Sequence, residues 1–359
     1  MKASLLLADG TVFNGKVKGK TENAIGEVVF CTSMVGYQEL ITTPAYKGQL
    51  VVLTFPLIGN YGVNKEDVSR DGAYVSGIIT RDICDFPNNF RCEGTLDDYL
   101  KENNIVALYD IDTRALTRHL RDNGTMNGKI IIGDVLDKEK ELEVVNAYEI
   151  KNAVKEVSVK EIKEIDLDSS FSDVAVIDFG VTNSVLESLK RRNLNIKILP
   201  FDFKAEDIVN LGVDGVVLSD GPGNPCELEE TIKEIKKLFE LKVPIFGIEL
   251  GHQLMAIALG ADIEKLKYGH RGSSQPVKNL STGKTHITSQ NHGYTVSKIN
   301  EESMIVSHIN INDDTIEGII YKNYPAFSVQ FHPEASTKTC DTSYLYDDFV
   351  NLMGGKINA

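Results

Sequence analysis

Phe246-Gly247-Ile248-Glu249-Leu250-Gly251-His252-Gln253 is the segment from which the C-terminal half of this chain can be understood. The apolar run 243–248 predicts a short buried strand. Gly247 and Gly251 bracket a sharp turn, and a helical pattern of apolar residues follows it. A strand, a tight turn and a helix form an elbow that pushes one side chain into a pocket at the end of a sheet. The tip of such an elbow normally carries a nucleophile, but here it carries Glu249.

Phe331-His332-Pro333-Glu334 supplies an imidazole and a carboxylate two residues apart. In an extended segment, residues i and i+2 point to the same side. Glu334 can therefore orient His332 and stabilise its imidazolium, as the third member of a catalytic triad does. The alternative is a hydrogen-bonded pair with a structural role. A His-x-Glu motif is weak alone, but here it follows an elbow by 83 residues (332 − 249).

Two further motifs strengthen the pattern. Gly221-Pro222-Gly223 precedes the elbow, and Gln290-Asn291-His292-Gly293 stands between the elbow and His332. Two interpretations of Gly221 and Gly223 are open. Either these glycines line a substrate site, or they only form a turn. His252 and His270 are interpreted as packing and hydrogen-bonding residues rather than catalysts, whereas His292 fits either role.

The combined set resembles a class I (triad) glutamine amidotransferase domain. The N-terminal half is similar to the small subunit of carbamoyl-phosphate synthetase, a family whose first domain other amidotransferases lack. This similarity lies in Thr32-Ser33-Met34-Val35-Gly36-Tyr37-Gln38-Glu39, Pro56-Leu57-Ile58-Gly59-Asn60-Tyr61-Gly62 and Asp112-Thr113-Arg114-Ala115-Leu116-Thr117. The resemblance covers essentially the whole chain.

The composition is that of a globular protein with room for two cores. The chain has 359 residues, of which 42% are hydrophobic and 25% charged. Its net charge of −14 argues against a nucleic-acid surface, which requires basic patches. The five cysteines are scattered and suggest neither a disulfide framework nor a zinc site, which favours the cytoplasm: Cys31, Cys84, Cys92, Cys226 and Cys340. Neither a signal peptide nor a membrane-spanning segment is predicted.

The pattern along the chain predicts an α/β protein of two domains. Residues 1–150 are rich in short β-like runs with two helical patterns, which predicts a mixed α/β domain with a β core. Residues 151–170 are charged and are predicted to form a linker, either a plain one or one with a strand or a helical turn. In residues 171–359 strands and helices alternate, which predicts a doubly wound, mostly parallel sheet with antiparallel hairpins added at 274–325. Ligands in such folds gather at the carboxyl ends of the strands, where Glu249 is predicted to lie.

The resemblance implies a chemistry and a set of site residues. In the family, a cysteine at the elbow attacks the side-chain amide of glutamine, and the histidine moves the protons. The expected catalytic positions are Glu249, His332 and Glu334. The resemblance places Gly221, Gly223 and the N–H of Leu250 at the oxyanion and substrate site, and it assigns glutamine binding to Gln253, Asn291, Gly293, Tyr294 and Ser33. Because Ser33 belongs to the other domain, the site is expected near the domain interface.

The chain departs from the family pattern at the position that matters most. Glu249 replaces the cysteine, and a carboxylate is a weak nucleophile toward an amide. Asp220 stands where the family commonly has Asn, and Tyr294 where it has Phe. We expect Glu249 to turn into the pocket, to accept a hydrogen bond from the N–H of Leu250 or Gly223 or from His332, to block the substrate amide, and to raise the pKa of His332. Glutaminase activity is then expected to be absent or very weak.

Three functions remain open. In the first, the chain is the glutamine-hydrolysing small subunit, with impaired chemistry, of a hetero-oligomer that makes carbamoyl phosphate for arginine and pyrimidine synthesis. The resemblance implies L-glutamine as substrate and a large-subunit partner that binds ATP, magnesium and bicarbonate, with no cofactor in this chain. In the second, the chain is a non-catalytic partner of a large subunit that uses free ammonia. In the third, the chain is a different hydrolase that uses Glu249 as its nucleophile or base at the same elbow.

Overall fold

The computed structural model describes residues 1–167, 170–334 and 341–354. Cys340 lies outside these residues, and the other four cysteines are free thiols. The chain divides into two compact units, Met1–Ala153 and Val154–Ala359. Among the described residues, no helix is long and apolar enough to span a bilayer.

The first unit is built on a barrel. Its strands are β1 (Lys2–Leu7), β2 (Val12–Gly19), β3 (Ala24–Cys31), β4 (Gln49–Leu53), β5 (Leu57–Ile58), β6 (Gly77–Ile79), β7 (Asp82–Ile83), β8 (Val106–Tyr109) and β9 (Met126–Ile132). Its helices are α1 (Tyr37–Ile41), α2 (Leu96–Glu102), α3 (Thr113–Asn123) and α4 (Lys138–Ala147). Within the fully described residues 1–153, a closed barrel has the strand order β1-β2-β8-β6-β4-β3-β9.

Alternation along the strands produces two apolar clusters in this unit. In β4, Leu50 and Val52 pack with the alternating residues of β1, whereas Val51 packs with α1 and α2. Period-two alternation divides a strand between its two faces in this way. The prediction of a mixed α/β fold with a β core is confirmed, although β2, β5, β7 and β8 were not predicted.

The second unit contains one large sheet. Its strands are β10 (Lys163–Ile165), β11 (Ser172–Asp178), β12 (Leu194–Pro200), β13 (Gly215–Leu218), β14 (Ile245–Ile248), β15 (Asp262–Asn279), β16 (Thr285–Lys298), β17 (Met304–Asn310), β18 (Ile316–Tyr321) and β19 (Ala326–Val329). Its helices are α5 (Ala153–Val157), α6 (Asn183–Lys190), α7 (Ala205–Leu211), α8 (Glu229–Leu241), α9 (Leu250–Ala258) and α10 (Tyr344–Leu352).

The centre of this sheet is parallel and both of its faces are covered. The parallel strands run in the order β12-β11-β13-β14-β19, followed by the antiparallel strands β18, β16, β15 and β17. Ala175 and Ile177 of β11 pack with α7, α8 and α9 on one face. Val174 and Val176 pack with α6 and α10 on the other. This is the doubly wound fold with added antiparallel strands that the sequence predicts.

The segment predicted as a linker contains both elements that the sequence left open, a helical turn and a strand. It contains α5, which begins at the boundary between the units, and β10, which pairs antiparallel with β12 at the edge of the large sheet. Exposed lysines and glutamates give this stretch its charged composition, because an edge strand buries little of its surface.

Candidate functional site

Three neighbouring parallel strands carry the central residues of the candidate site. Asp220 follows β13 by two residues, Glu249 follows β14 directly, and His332 follows β19 by three. Because β13, β14 and β19 are adjacent and parallel, their carboxyl ends meet at one edge of the sheet. The side chains of Asp220, Glu249 and His332 form one cluster. One carboxylate oxygen of each acid and one ring nitrogen of the histidine lie within 4.8 Å of one another.

The elbow predicted from the sequence has the backbone of a strained turn. Glu249 has φ 48° and ψ −103°, a conformation that L-residues rarely adopt. Its N–H donates to the Val329 carbonyl at 2.9 Å, which fixes the turn against β19. A side chain at Gly251 would approach the Leu218 carbonyl oxygen to 2.2 Å, so only glycine lets α9 start this close to β13. The tip side chain is thereby held at the end of the sheet.

The Glu249 carboxylate turns inward, as predicted, and lies beside Asp220 and His332. The residue is 2% exposed, and the Gly221 N–H donates a hydrogen bond to its carboxylate. This donor is the first glycine of the 221–223 loop, which was not among the predicted donors Gly223, Leu250 and His332. Leu250 begins α9, so its N–H is among those that find no partner within the helix. Together with the helix dipole, these donors favour a negative charge at the tip.

His332 and Glu334 form the expected pair. Glu334 Oε1 lies 3.1 Å from His332 Nδ1, and Glu334 Oε2 accepts a hydrogen bond from the Tyr346 hydroxyl at 3.1 Å. The Ser184 hydroxyl lies 3.5 Å from Oε1. Burial raises the pKa of Glu334, but the hydrogen bond and the charge of His332 outweigh it and hold that pKa below its usual value. A buried, ionised Glu334 thus orients the imidazole.

Asp220 is a member of the site, although the sequence marks it only as a departure from the family pattern. It is fully buried, and neither of its carboxylate oxygens has a hydrogen-bond partner among the described residues. Its position at the end of a predicted strand, directly before Gly221, was the available signal. Tyr346 and Arg271 were also missed. Arg271 is 5% exposed and its charge lowers the pKa of Glu249.

The buried charges shift one another's pKa values. Burial raises the pKa of Glu249 to about 8, with Asp220 adding to the rise and His332 opposing it. Burial likewise raises the pKa of Asp220 to about 7. Burial alone would lower the pKa of His332, but its hydrogen bond to Glu334 and the three nearby carboxylates raise that pKa to about 10. The predicted rise is confirmed, and the structure adds Asp220 to its causes.

Most of the residues expected to hold glutamine lie on β16 and α9 beside this cluster. β16 passes His332, whose N–H donates to the Ser289 carbonyl at 3.0 Å. Further along, the Tyr294 carbonyl accepts a hydrogen bond from Gln253 Nε2 at 2.9 Å. Asn291 and Gly293 lie between these two contacts, and the buried Asn291 Nδ2 has no partner within the described chain. The amide of Gln253 is engaged within the protein.

Ser33, by contrast, belongs to the first unit. It lies half-buried in the loop between β3 and α1. Its role in holding glutamine stays a prediction.

The remaining histidines of the motifs make structural contacts. His252 Nδ1 shares a hydrogen bond of 2.8 Å with the Ser328 hydroxyl, and burial lowers its pKa to about 3. His270 Nε2 lies 2.8 Å from an Asp313 carboxylate oxygen. His292 Nδ1 donates to the Tyr294 carbonyl at 2.8 Å. These contacts agree with the packing role predicted for His252 and His270.

Comparison with known proteins identifies both halves of the chain. Residues 175–352 match the model of the class I glutamine amidotransferase family. Residues 5–130 match the model described as carbamoyl-phosphate synthase small chain, CPSase domain. The elbow, the His332–Glu334 pair and the parallel sheet are thus those of a class I amidotransferase domain.

Full-length relatives show the family of the whole chain. It is 47% identical to a carbamoyl phosphate synthase small chain of Clostridium perfringens, over 98% of this chain and 99% of that protein. It is 46% identical to the carbamoyl phosphate synthase pyrimidine-specific small chain of Bacillus subtilis, over 98% of this chain and 96% of that protein. It is 44% identical to a carbamoyl phosphate synthase small chain of Archaeoglobus fulgidus, over 98% of this chain and 99% of that protein. The chain belongs to the carbamoyl-phosphate synthase small chain family.

Proposed function

We propose that this chain is a small subunit that assembles with a carbamoyl-phosphate synthetase large subunit in the cytoplasm and that its own glutaminase is severely impaired. The observation that carries the impairment is the position of the Glu249 carboxylate. It is buried, hydrogen-bonded to the Gly221 N–H and within 4.8 Å of both Asp220 and His332. The large subunit would bind ATP, magnesium and bicarbonate. The product would serve arginine and pyrimidine synthesis.

The impairment has two separate causes. The first is chemical: attack on the glutamine amide by a carboxylate would give an anhydride instead of a thioester, and a carboxylate is the weaker nucleophile. The second is steric and electrostatic, because Glu249 takes the Gly221 N–H that would otherwise face a bound amide or its oxyanion. His332 and Glu334 retain the geometry for proton transfer, so the defect is confined to the tip of the elbow.

The two causes can be separated by two substitutions at one position. Glu249→Cys restores a thiol and clears the pocket, whereas Glu249→Ala clears the pocket without adding a nucleophile. We expect glutamate formation in Glu249→Cys to exceed that of the unaltered chain and of Glu249→Ala by about 100-fold or more. We expect Glu249→Ala to bind glutamine more tightly than the unaltered chain in calorimetry.

The decisive experiment measures carbamoyl phosphate synthesis by the complex with each nitrogen donor. With the unaltered small chain, ammonium should support synthesis and glutamine should not. Near-normal synthesis from glutamine would show that Glu249 does not impair the site. If the chain does not co-purify with the cognate large subunit at micromolar concentration, the proposed subunit role is wrong. A complex that gains no glutamine-dependent synthesis after Glu249→Cys, while still using ammonium, favours the second candidate, a purely structural or regulatory partner.

A further inference from the structure

Two carboxylates and an imidazole converge on one point in the pocket. Asp220, Glu249 and His332 come from three different strand ends, and their ligand atoms lie within 4.8 Å of one another. Asp220 is fully buried, Glu249 is 2% exposed, and the His332 side chain is 13% exposed. The cluster therefore lies under the surface at the carboxyl edge of the sheet, where ligands of such folds bind.

Three carboxylate oxygens in this cluster have no partner within the described chain. They are both oxygens of Asp220 and the Oε2 of Glu249. Burying an ionised carboxylate without a hydrogen bond is costly, so unpaired oxygens of this kind require a further group. Two kinds of group fit between facing carboxylates: a shared proton and a bound cation.

The orientation of His332 favours the cation. Its Nδ1 faces Glu334 Oε1 at 3.1 Å, which leaves Nε2 as the nitrogen available to the cluster. Glu334 is in turn held by the Tyr346 hydroxyl at 3.1 Å. A histidine whose second nitrogen is bonded to a carboxylate is the usual arrangement around protein-bound metals, because it fixes the ring and makes the ligand nitrogen more basic.

The donor set indicates which cations would bind. One imidazole nitrogen and two carboxylate oxygens suit zinc and other divalent transition metals, whereas magnesium and calcium prefer oxygen ligands only. Metal–ligand bonds of about 2.0–2.2 Å place neighbouring ligand atoms about 3–3.5 Å apart. The ligand atoms of this cluster lie within 4.8 Å of one another, so side-chain rotations that move the Asp220 and Glu249 oxygens by about 1 Å complete the site. Three protein ligands leave a fourth position for water.

We propose that Asp220, Glu249 and His332 form a binding site for one divalent transition-metal ion of the zinc class. In this site Glu249 Oε2, an Asp220 oxygen and His332 Nε2 bind the ion, and Glu334 orients the histidine. The ion neutralises the two facing carboxylates. This goes beyond the proposed function and does not depend on it, because a metal can be bound whether or not the chain joins a large subunit.

The test is metal binding by the full-length chain after removal of metals with a chelator. Titration with zinc chloride in a calorimeter should show one equivalent bound, and cobalt(II) should give the visible absorption of a protein-bound ion. Asp220→Asn and Glu249→Gln should each weaken zinc binding at least tenfold. His119→Asn is the matched control, because His119 makes the same kind of contact with a carboxylate, Asp9, at the surface of the first unit. It should leave zinc binding unchanged.

Two further measurements keep the test independent of folding and of glutamine chemistry. Circular dichroism establishes that the near-isosteric variants are folded, and zinc should raise the melting temperature of the unaltered chain but not of Asp220→Asn. The proposal is overturned if the folded, unaltered chain binds no zinc. It is also overturned if Asp220→Asn and Glu249→Gln bind zinc as tightly as the unaltered chain, which would place the bound ion elsewhere. Neither result bears on glutamate formation.

Discussion

Replacing Asp220 by asparagine should stabilise the folded chain by an amount that grows with pH. Burial raises the pKa of Asp220 from 3.8 to about 7, with the charge of Glu334 adding to the rise and that of His332 opposing it. Between these two pKa values the folded chain holds a proton that the unfolded chain has lost. The free energy of unfolding therefore falls as the pH rises from about 4 to about 7, and stays low above that range.

The size of the effect follows from the two pKa values. A tenfold difference in proton affinity corresponds to 1.36 kcal/mol, so the rise from 3.8 to about 7 corresponds to about 4 kcal/mol at pH 7 and above. About 3 kcal/mol of this develops between pH 5 and pH 8. Asparagine has nearly the same shape and does not titrate. Its side-chain NH₂ also offers a donor toward Glu249 Oε2, which lacks a partner among the described residues.

The assay is urea unfolding followed by circular dichroism at pH 5 and pH 8, at one ionic strength and without added metal. The difference in unfolding free energy between Asp220→Asn and the unaltered chain should increase by about 3 kcal/mol from pH 5 to pH 8. Asp202→Asn is the control, because it removes an exposed carboxylate and changes the net charge equally. If the curves of Asp220→Asn and the unaltered chain stay parallel within about 1 kcal/mol, the assigned burial and charge repulsion are wrong.

Three further outcomes follow from the structure. Adding Asp220→Asn to Glu249→Cys should raise glutamate formation above that of Glu249→Cys alone, because it removes a buried negative charge beside the thiolate; equal rates in the two proteins contradict this. Gly251→Ala should destabilise the chain by about 3 kcal/mol or more in urea unfolding, since its Cβ would lie 2.2 Å from the Leu218 carbonyl oxygen. Gly94→Ala, whose Cβ meets only a methyl group at 3.6 Å, should cost less than about 1 kcal/mol. Co-purification with the large subunit should be the same for Glu249→Ala and the unaltered chain, and a loss of binding would connect the elbow to the interface.

The sequence predicts the second unit well because its periodic pattern is local. The elbow, the alternation of strand and helix and the triad pair are each encoded by short runs, and the structure contains all of them. The closed barrel of the first unit was not predicted. Strand β2 is largely exposed or half-buried, and strand β8 has only four residues, so neither shows a clear apolar pattern. Closure of the barrel also depends on pairing between strands that are distant in sequence, which no local run of residues specifies.

The candidate site shows the same limit. Glu249 and His332 were found because motifs mark them, whereas Asp220 joins them only through the adjacency of β13 and β14. The Gly221 N–H was likewise not predicted as a donor to Glu249, since backbone N–H directions depend on how the 221–223 turn packs. Gly221 occupies its place because a Cβ there would lie 2.5 Å from the Phe179 carbonyl oxygen.

The environment of the elbow explains how the fold accommodates a carboxylate at the tip. The tip residue sits at the start of α9, beside the Gly221 N–H and a histidine whose pKa is raised to about 10. Each of these favours negative charge, as an oxyanion site must. A glutamate at position 249 meets these groups in the ground state, and they offset part of the burial that raises its pKa to about 8. Burial of Asp220 without a hydrogen-bond partner among the described residues, together with its repulsion of Glu249, then remains uncompensated, which makes Asp220 the residue that most needs either a proton or a cation.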